Sequence, residues 1–445
     1  MTTITAITTS DRRFPLPPGD GSDAVHTNPT YAYAVTELRT DAGLTGIGLA
    51  FTLGGGNDLV TQAIALLAES LAGREIEELM ASFGETLNAL ANHPQLRWLG
   101  PHKGVIHLAL SSIANACWDL WAKSRDVPLW QLILDLSPEA LVATLDLSYL
   151  EDVLTAEQAV ALIREELSTR DERMPILAAG YPGYDTSFGW FGYSDEQIRD
   201  NAARATANGF DALKLKVGHR DPARDITRAR LVRATVGPDV RLMVDANQQW
   251  TVPQALAIGR ELADLDLFWI EEPTHPDDIV GHRTLAWGLA PTRLAIGEHV
   301  ANRIAFKNYL QLDAAGIIQV DAVRVAGVSE FLAVSLLARQ AGLPVVPHVG
   351  DMGQIHQHLV LANHIALGLE PLFLEYIPHL REHFIHPAIV EGGRYRTPQE
   401  PGSSSDLRDD RGGHYHENLR MRPENGPWEG GHEPTTPSRR PLDTP

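Results

Sequence analysis

Two hydrophobic rhythms divide the chain. In the N-terminal part, apolar positions alternate in TITAIT and again in YAYAVTELRT, and an Asp41-Ala42-Gly43 turn leads into LTGIGLAF. Alternation broken by a turn signal predicts an antiparallel meander. The stretches LVTQAIALLAESLAG and GVIHLALSSIANACWDLWAK follow, with apolar residues recurring at three and four, the helical period. From VATLDLS, near residue 142, the rhythm becomes strand, helix, strand, helix, which predicts a parallel sheet.

In this second part, short apolar runs end at ionisable residues. They are Lys216 in LKLKV, Asp245 in RLMVDAN, Glu271 in LFWIEEP, Glu298 in LAIGEH, Asp321 in IIQVDA, His348 in VVPH and Glu375 in FLEY. The successive intervals are 29, 26, 27, 23, 27 and 27 residues, each the length of a strand, a helix and two loops. That is the period of a β/α barrel, and these are the strand ends where such barrels keep their chemistry. Residues 1–140 are therefore expected to form an α+β domain and residues 141–385 the barrel. A segment rich in Gly, Pro and aromatics, ERMPILAAGYPGYDTSFGWFGYS, interrupts the first unit and is expected to shape a pocket wall. Residues 406–445, rich in Pro, Gly and charge, are expected to form a largely disordered tail.

A formal net charge of −20 opposes nucleic acid and anionic membranes, so an anionic substrate would need local positive charge at its site. The single cysteine, Cys117, excludes intramolecular disulfides and thiolate metal clusters, and its helical apolar context marks it as a core thiol. No apolar run approaches the length of a membrane span, and the N-terminus lacks a leader pattern, so the expected location is the cytoplasm.

On a strand, Lys214 and Lys216 share one face while the aliphatics of LKLKV share the other. Two interior ammonium groups are costly unless partnered, which favours function over structure. Each should lower the basicity of the other, leaving Lys216 able to act as a general base. Asp245, Glu271 and Glu298, on consecutive strands, would repel one another without a hard divalent cation, and all-oxygen donors favour magnesium or manganese. Glu272 should point to the opposite face from Glu271, whereas Asn247 could share the face of Asp245. Asp321 and His348, on the next two strands, have the makings of an acid/base dyad in which the carboxylate orients the ring. Glu375 could present a carboxyl to developing charge. His356 and His358, two apart on a helix, do not share a face and read as surface residues; Gly54 to Gly56 read as a flexible loop, and His414 and His416 as part of the tail. Base, cation and acid in this order describe abstraction of a proton beside a carboxylate.

This order of parts resembles the enolase superfamily, in its mandelate racemase-type branch with a Lys-x-Lys strand, and within it the fuconate dehydratase group. The similarity covers nearly all of residues 10–405 and rests on RFP with DGSDA, QLRWLGPHKGV, YPGYDTSFGWFGYSDE, KLKVG, MVDANQQW, WIEEPTHPDDIVGH, GEHVANRIAFKNYLQ, QVDAVRVAGV and EYIPHLREHF. The resemblance implies a modified TIM barrel, (β/α)7β, whose capping domain is completed by residues 386–405. It also implies one magnesium ion per subunit held by Asp245, Glu271 and Glu298, with Lys216 and His348 as acid/base catalysts and Asp321 orienting His348. Lys214, Asn247 and Glu375 would contact the substrate, and the cap would close over it through Gly21, Ser22, Asp23 and Tyr31. The implied activity is dehydration of L-fuconate or a stereochemical relative to a 2-keto-3-deoxy acid, by a homo-oligomer. One stretch differs: PHVGDMGQIHQHL is shorter than its counterpart, with Val349 and Asp351 in place of small residues. A racemase or epimerase could use the same groups, and a catalytically silent binding protein is the alternative from another class. A metal-barrel hydrolase would want a His-x-His on the first strand, and VATLDLS has none.

Overall fold

The computed structural model describes residues 1–408 and the backbone of 416–417. The expected meander is present as β1 (Ile4–Pro15), β2 (Thr30–Thr40) and β3 (Thr45–Thr52), antiparallel neighbours in one sheet. Gly43 turns the chain between the last two at φ 76°, a left-handed conformation that suits glycine. Helix Gly104–Ser124 lies so close across this sheet that a Cβ on Gly48 would stand 1.8 Å from the Ser112 carbonyl oxygen. Cys117 is buried in that helix, and burial pushes its thiol up to about 12. The backbone of His416 and Glu417 pairs with Asp11 and Ser10 of β1; of the expected tail, residues 409–415, His414 among them, and 418–445 lie outside the described residues.

The barrel strands are β4 (Tyr181–Asp185), β5 (Ala212–Lys216), β6 (Arg241–Asp245), β7 (Leu267–Glu271), β8 (Arg293–Ile296) and β9 (Ile317–Ile318), parallel and adjacent in that order. Val345 continues the sheet through a parallel bridge to Ile318, and β10 (Leu374–Tyr376) pairs with β4. Apolar side chains such as Tyr184, Met243, Trp269, Ile317 and Phe373 pack into one cluster drawn from strands all round the barrel. That packing leaves the strand ends for polar groups.

Two sequence expectations fail here. VATLDLS is not a strand: Pro138–Ala143 is a helix, entered at Ser137, whose side chain accepts from the Ala140 N–H. The first barrel strand is instead Tyr181–Asp185, inside the segment expected to be an insertion. Gly180, Pro182 and Gly183 resemble chain breakers, yet Gly183 has a packing reason. A Cβ there would meet Tyr395, the Gly393 carbonyl and Phe210 at 3.1–3.2 Å.

The return to the cap also comes later than expected. A hairpin of β11 (Val390–Glu391) and β12 (Arg394–Tyr395) stays on the barrel, with β12 antiparallel to β4. The cap is met at Pro398, whose carbonyl accepts from Trp130 Nε1 at 2.8 Å, and again at residues 402–408. There the Leu129 N–H donates to the Gly402 carbonyl at 2.8 Å, the Ser403 N–H to Asp119 Oδ1 at 2.7 Å, and Lys123 Nζ to Asp406 Oδ2 at 2.9 Å. Arg12 Nη2 donates to the Arg408 carbonyl at 2.9 Å, so residues 406–408 are part of the folded structure.

Candidate active site

Strand register assembles the first half of the site. Lys216 lies opposite Asp245, and Asp245 opposite Glu271, so three strands deliver three ionisable side chains at one level. Glu298 follows β8, and the acceptor atoms of Asp245, Glu271 and Glu298 lie within 4.8 Å of one another. Arg324 Nη1 donates to Glu298 Oε1 at 3.1 Å, while Glu298 Oε2 and Asn247 Oδ1 are buried without a partner. Three hard oxygen donors with such an orphaned oxygen fit a divalent cation. Glu272 turns away, as expected, at φ 40°, and sits 2.9 Å from His299 Nδ1.

Lys214 Nζ donates to Glu271 Oε1 at 2.6 Å and stands 2.9 Å from Glu375 Oε1; Lys216 Nζ donates to Asp245 Oδ2 at 2.5 Å. Burial alone would lower the Lys214 ammonium, but Glu271 and Glu375 outweigh it and hold it well above its ordinary value. Burial acts likewise on Lys216 and is overcome chiefly by Asp245; Lys214 opposes that effect, and the net direction is up. The expected mutual lowering of the two lysines is thus present but outmatched. A cation held by Asp245 would draw on its charge, give the repulsion from Lys214 more weight and favour the free amine of Lys216.

The second half is built on Asp321. His348 Nδ1 lies 2.7 Å from Asp321 Oδ2, and His348 Nε2 lies 3.5 Å from Glu298 Oε1. Burial would lower this imidazole, but Glu298 and the hydrogen bond to Asp321 raise it to about 9. The contact suggested by two strand ends is therefore formed, and it favours the protonated ring. The surface reading of His356 and His358 is wrong. Both are buried in helix Ile355–Leu367; His356 Nε2 lies 2.9 Å from Asp321 Oδ1, and His358 Nδ1 accepts from the Trp130 N–H at 3.2 Å.

A cavity of about 260 Å³ opens between these halves and the cap. Of the sequence candidates, Gly21, Asp23, Tyr31, Lys216, Asn247, Glu298, His348 and Glu375 line it. Asp245, Glu271, Lys214 and Asp321 lie fully buried beneath. Ser22 is not on the cavity wall: its Oγ accepts from the Asn28 N–H at 3.1 Å and braces the loop. Gly350 reaches the wall, but Val349 packs with Met352 and Leu374, and Asp351 Oδ1 accepts from the Gly353 N–H at 2.7 Å. Trp190, from the segment expected to form a wall, does so, with Lys216 Nζ 5.9 Å from its ring centre. Sequence reasoning missed Arg324, Gln319 and Trp269. Gln319 Nε2 and Trp269 Nε1 donate to Glu271 Oε2 at 2.8 and 3.0 Å and fix the carboxylate from below. Trp269 precedes Glu271 by two on β7, so shared facing was its available signal.

Two family models match the chain. The mandelate racemase / muconate lactonizing enzyme N-terminal domain matches residues 4–133, and the enolase C-terminal domain-like model matches residues 197–411. The chain belongs to the enolase superfamily. L-galactonate dehydratase of Hypocrea jecorina is 40% identical over 91% of this chain and 92% of its own length. The crystal structure of human mitochondrial enolase superfamily member 1 superposes with a TM-score of 0.88 at 39% identity, covering 92% of this chain and 95% of that one. L-talarate/galactarate dehydratase from Salmonella typhimurium, solved with magnesium and L-lyxarohydroxamate, has a TM-score of 0.73 at 27% identity, over 92% and 91% of the two chains. Enolase superfamily membership accounts for the capped barrel. Among the described residues, no helix is long and apolar enough to cross a membrane.

Proposed function

We propose that this protein is a magnesium-dependent hydro-lyase that removes water from a six-carbon sugar acid, L-fuconate or its 6-hydroxy relative L-galactonate. The product is a 2-keto-3-deoxy acid. The observation that carries the reading is the pair of proton-transfer groups on one cavity. Lys216 and His348 both line it, from the second and seventh strands of the barrel. Their environments differ in kind, which supports Lys216 as the base and His348 as the acid.

Magnesium, when held by Asp245, Glu271 and Glu298, supplies the positive charge that makes a proton beside a carboxylate removable. Lys216 Nζ takes the C2 proton. The electron pair left on C2 forms the C2–C3 double bond as the C3–O bond breaks, and His348 Nε2 gives its proton to the departing 3-hydroxyl, which leaves as water. The enol then gains a proton at C3 and becomes the 2-keto acid. Asn247 and Glu375 position the substrate from the wall, and Gly21, Asp23 and Tyr31 close the cavity from the cap. Lys214, locked between Glu271 and Glu375, holds those carboxylates in place and supplies local positive charge in a chain of net charge −20. Phe51, Leu53 and Ile377 give the cavity an apolar side, which suits the methyl end of L-fuconate. The name of the Hypocrea relative supports the same carbon skeleton with a C6 hydroxyl. The same reading has the enzyme work in the cytoplasm as a homo-oligomer.

The test is incubation with magnesium and a panel of sugar acids, read by formation of 2-keto-3-deoxy acid. Strong turnover of L-fuconate or L-galactonate is expected. Proton exchange at C2 with the 3-hydroxyl retained would replace dehydration by racemisation, and absence of magnesium binding by calorimetry would leave a silent binding protein.

A further inference from the structure

We infer that His356 is a positioning residue for the acid half of the site. Through Asp321 it holds His348 in the Nδ1–H tautomer, which turns Nε2 toward the cavity.

Asp321 is fully buried, and both of its oxygens are engaged. Oδ2 faces His348 Nδ1 at 2.7 Å; Oδ1 accepts from the Val323 N–H at 2.8 Å and faces His356 Nε2 at 2.9 Å. With Val323 as the only donor on Oδ1, the carboxylate keeps some freedom to turn about its terminal bond and carry the histidine partner with it. Two imidazoles from two elements, one after the seventh strand and one in the first turn of helix Ile355–Leu367, remove that freedom.

The tautomer of His356 follows from its surroundings. Its Nε2 also lies 3.1 Å from the Ala322 N–H, and its Nδ1 has no partner. An Nδ1–H ring would accept from Ala322, but it would bury an unpartnered N–H and set a lone pair against the Asp321 oxygen. An Nε2–H ring instead makes a charge-assisted bond to the carboxylate, leaving Nδ1 bare and the Ala322 N–H without this acceptor. The carboxylate, buried away from water, decides in favour of the second. His356 is thus a donor to Asp321, as His348 is, and the two rings share one anion.

The activity test rests on the dehydratase reading and separates the two halves of the reaction. In the magnesium-loaded enzyme, His356→Phe removes the donor and keeps a ring. Elimination should fall by about 10–100-fold in kcat, the usual cost of losing an outer hydrogen-bonding partner. KM and deuterium uptake at C2, which report binding and Lys216, should stay within about twofold. His356→Gln, whose amide can still donate to Oδ1, should recover elimination to within about fivefold. An unchanged kcat in His356→Phe, or exchange and elimination falling together, overturns the inference. A second arm needs no turnover: nitrogen-15 NMR of the histidine-labelled protein, assigned against His356→Gln, should show His356 as the Nε2–H tautomer. An Nδ1–H ring there overturns the inference even if no sugar acid reacts, and this arm decides if the Phe variant does not fold. Failure of the unaltered enzyme to exchange or eliminate with any acid, alongside the expected tautomer, would count against the dehydratase reading alone.

Discussion

The two halves of the site hold their cations in different ways. In the base half, Lys214 and Lys216 owe their charge to Asp245, Glu271 and Glu375, and Asp245 and Glu271 are also positioned for a divalent ion. In the acid half, His348 leans on Asp321, which is enclosed by imidazole and backbone donors and has no place in the metal group. A cation acts directly on the base half and reaches the acid half only through Glu298, whereas the Asp321 contact is set by folding. On the proposed mechanism, a base that must be free of its proton and an acid that must keep one are thereby set in unlike surroundings.

Breaking the base half should have the largest effect. Lys216→Ala is expected to reduce turnover by about a thousandfold or more while magnesium affinity by calorimetry stays near that of the unaltered protein. Normal activity would remove the lysine from the mechanism. In the acid half, Asp321→Asn should lower elimination about 100–1,000-fold, because an amide can present an N–H where His348 needs an acceptor. Deuterium uptake at C2 should survive; its loss would mean that the halves are not separable.

The acid half also has a stability signature. The folded-state value of His348, about 9, lies above its ordinary 6.5, so its contribution is complete below pH 6.5 and is lost as pH rises through 9. The difference corresponds to about 3 kcal/mol. Thermal melts of metal-free protein across this range should show a falling limb that Asp321→Asn reduces, and a flat profile would refute the assignment. The smallest effect concerns the junction of the halves. Arg324 ties up Glu298 Oε1 and leaves Oε2 orphaned, so Arg324→Met should weaken magnesium binding by about tenfold with little change in fold. Unaltered affinity in calorimetry would show that Glu298 needs no such support.

Much of the base half was legible because strands repeat every two residues and the barrel repeats at each strand. LKLKV puts both lysines on one face without any knowledge of neighbours, and parallel register then lines up Lys216, Asp245 and Glu271. The first strand was illegible for a converse reason. Tyr181-Pro182-Gly183 carries loop-like residues whose justification is the crowding of Gly183 by Tyr395, Gly393 and Phe210, the first two more than 200 positions away. His356 was misjudged because helix Ile355–Leu367 is buried on nearly every side, so the polarity of His356, Gln357 and His358 marks internal hydrogen bonding and not a wet face.

By itself, the sequence determined the architecture, the order of the ionisable strand ends and the class of chemistry, because periodicity and residue type are local properties. Only the tertiary structure decided which carboxylate holds which cation, that Lys214 lies beneath the cavity and not on its wall, and that a second histidine reaches Asp321. Those outcomes depend on distances between segments far apart in the chain and on burial, which sets whether a charge is stabilised by water or by a named neighbour.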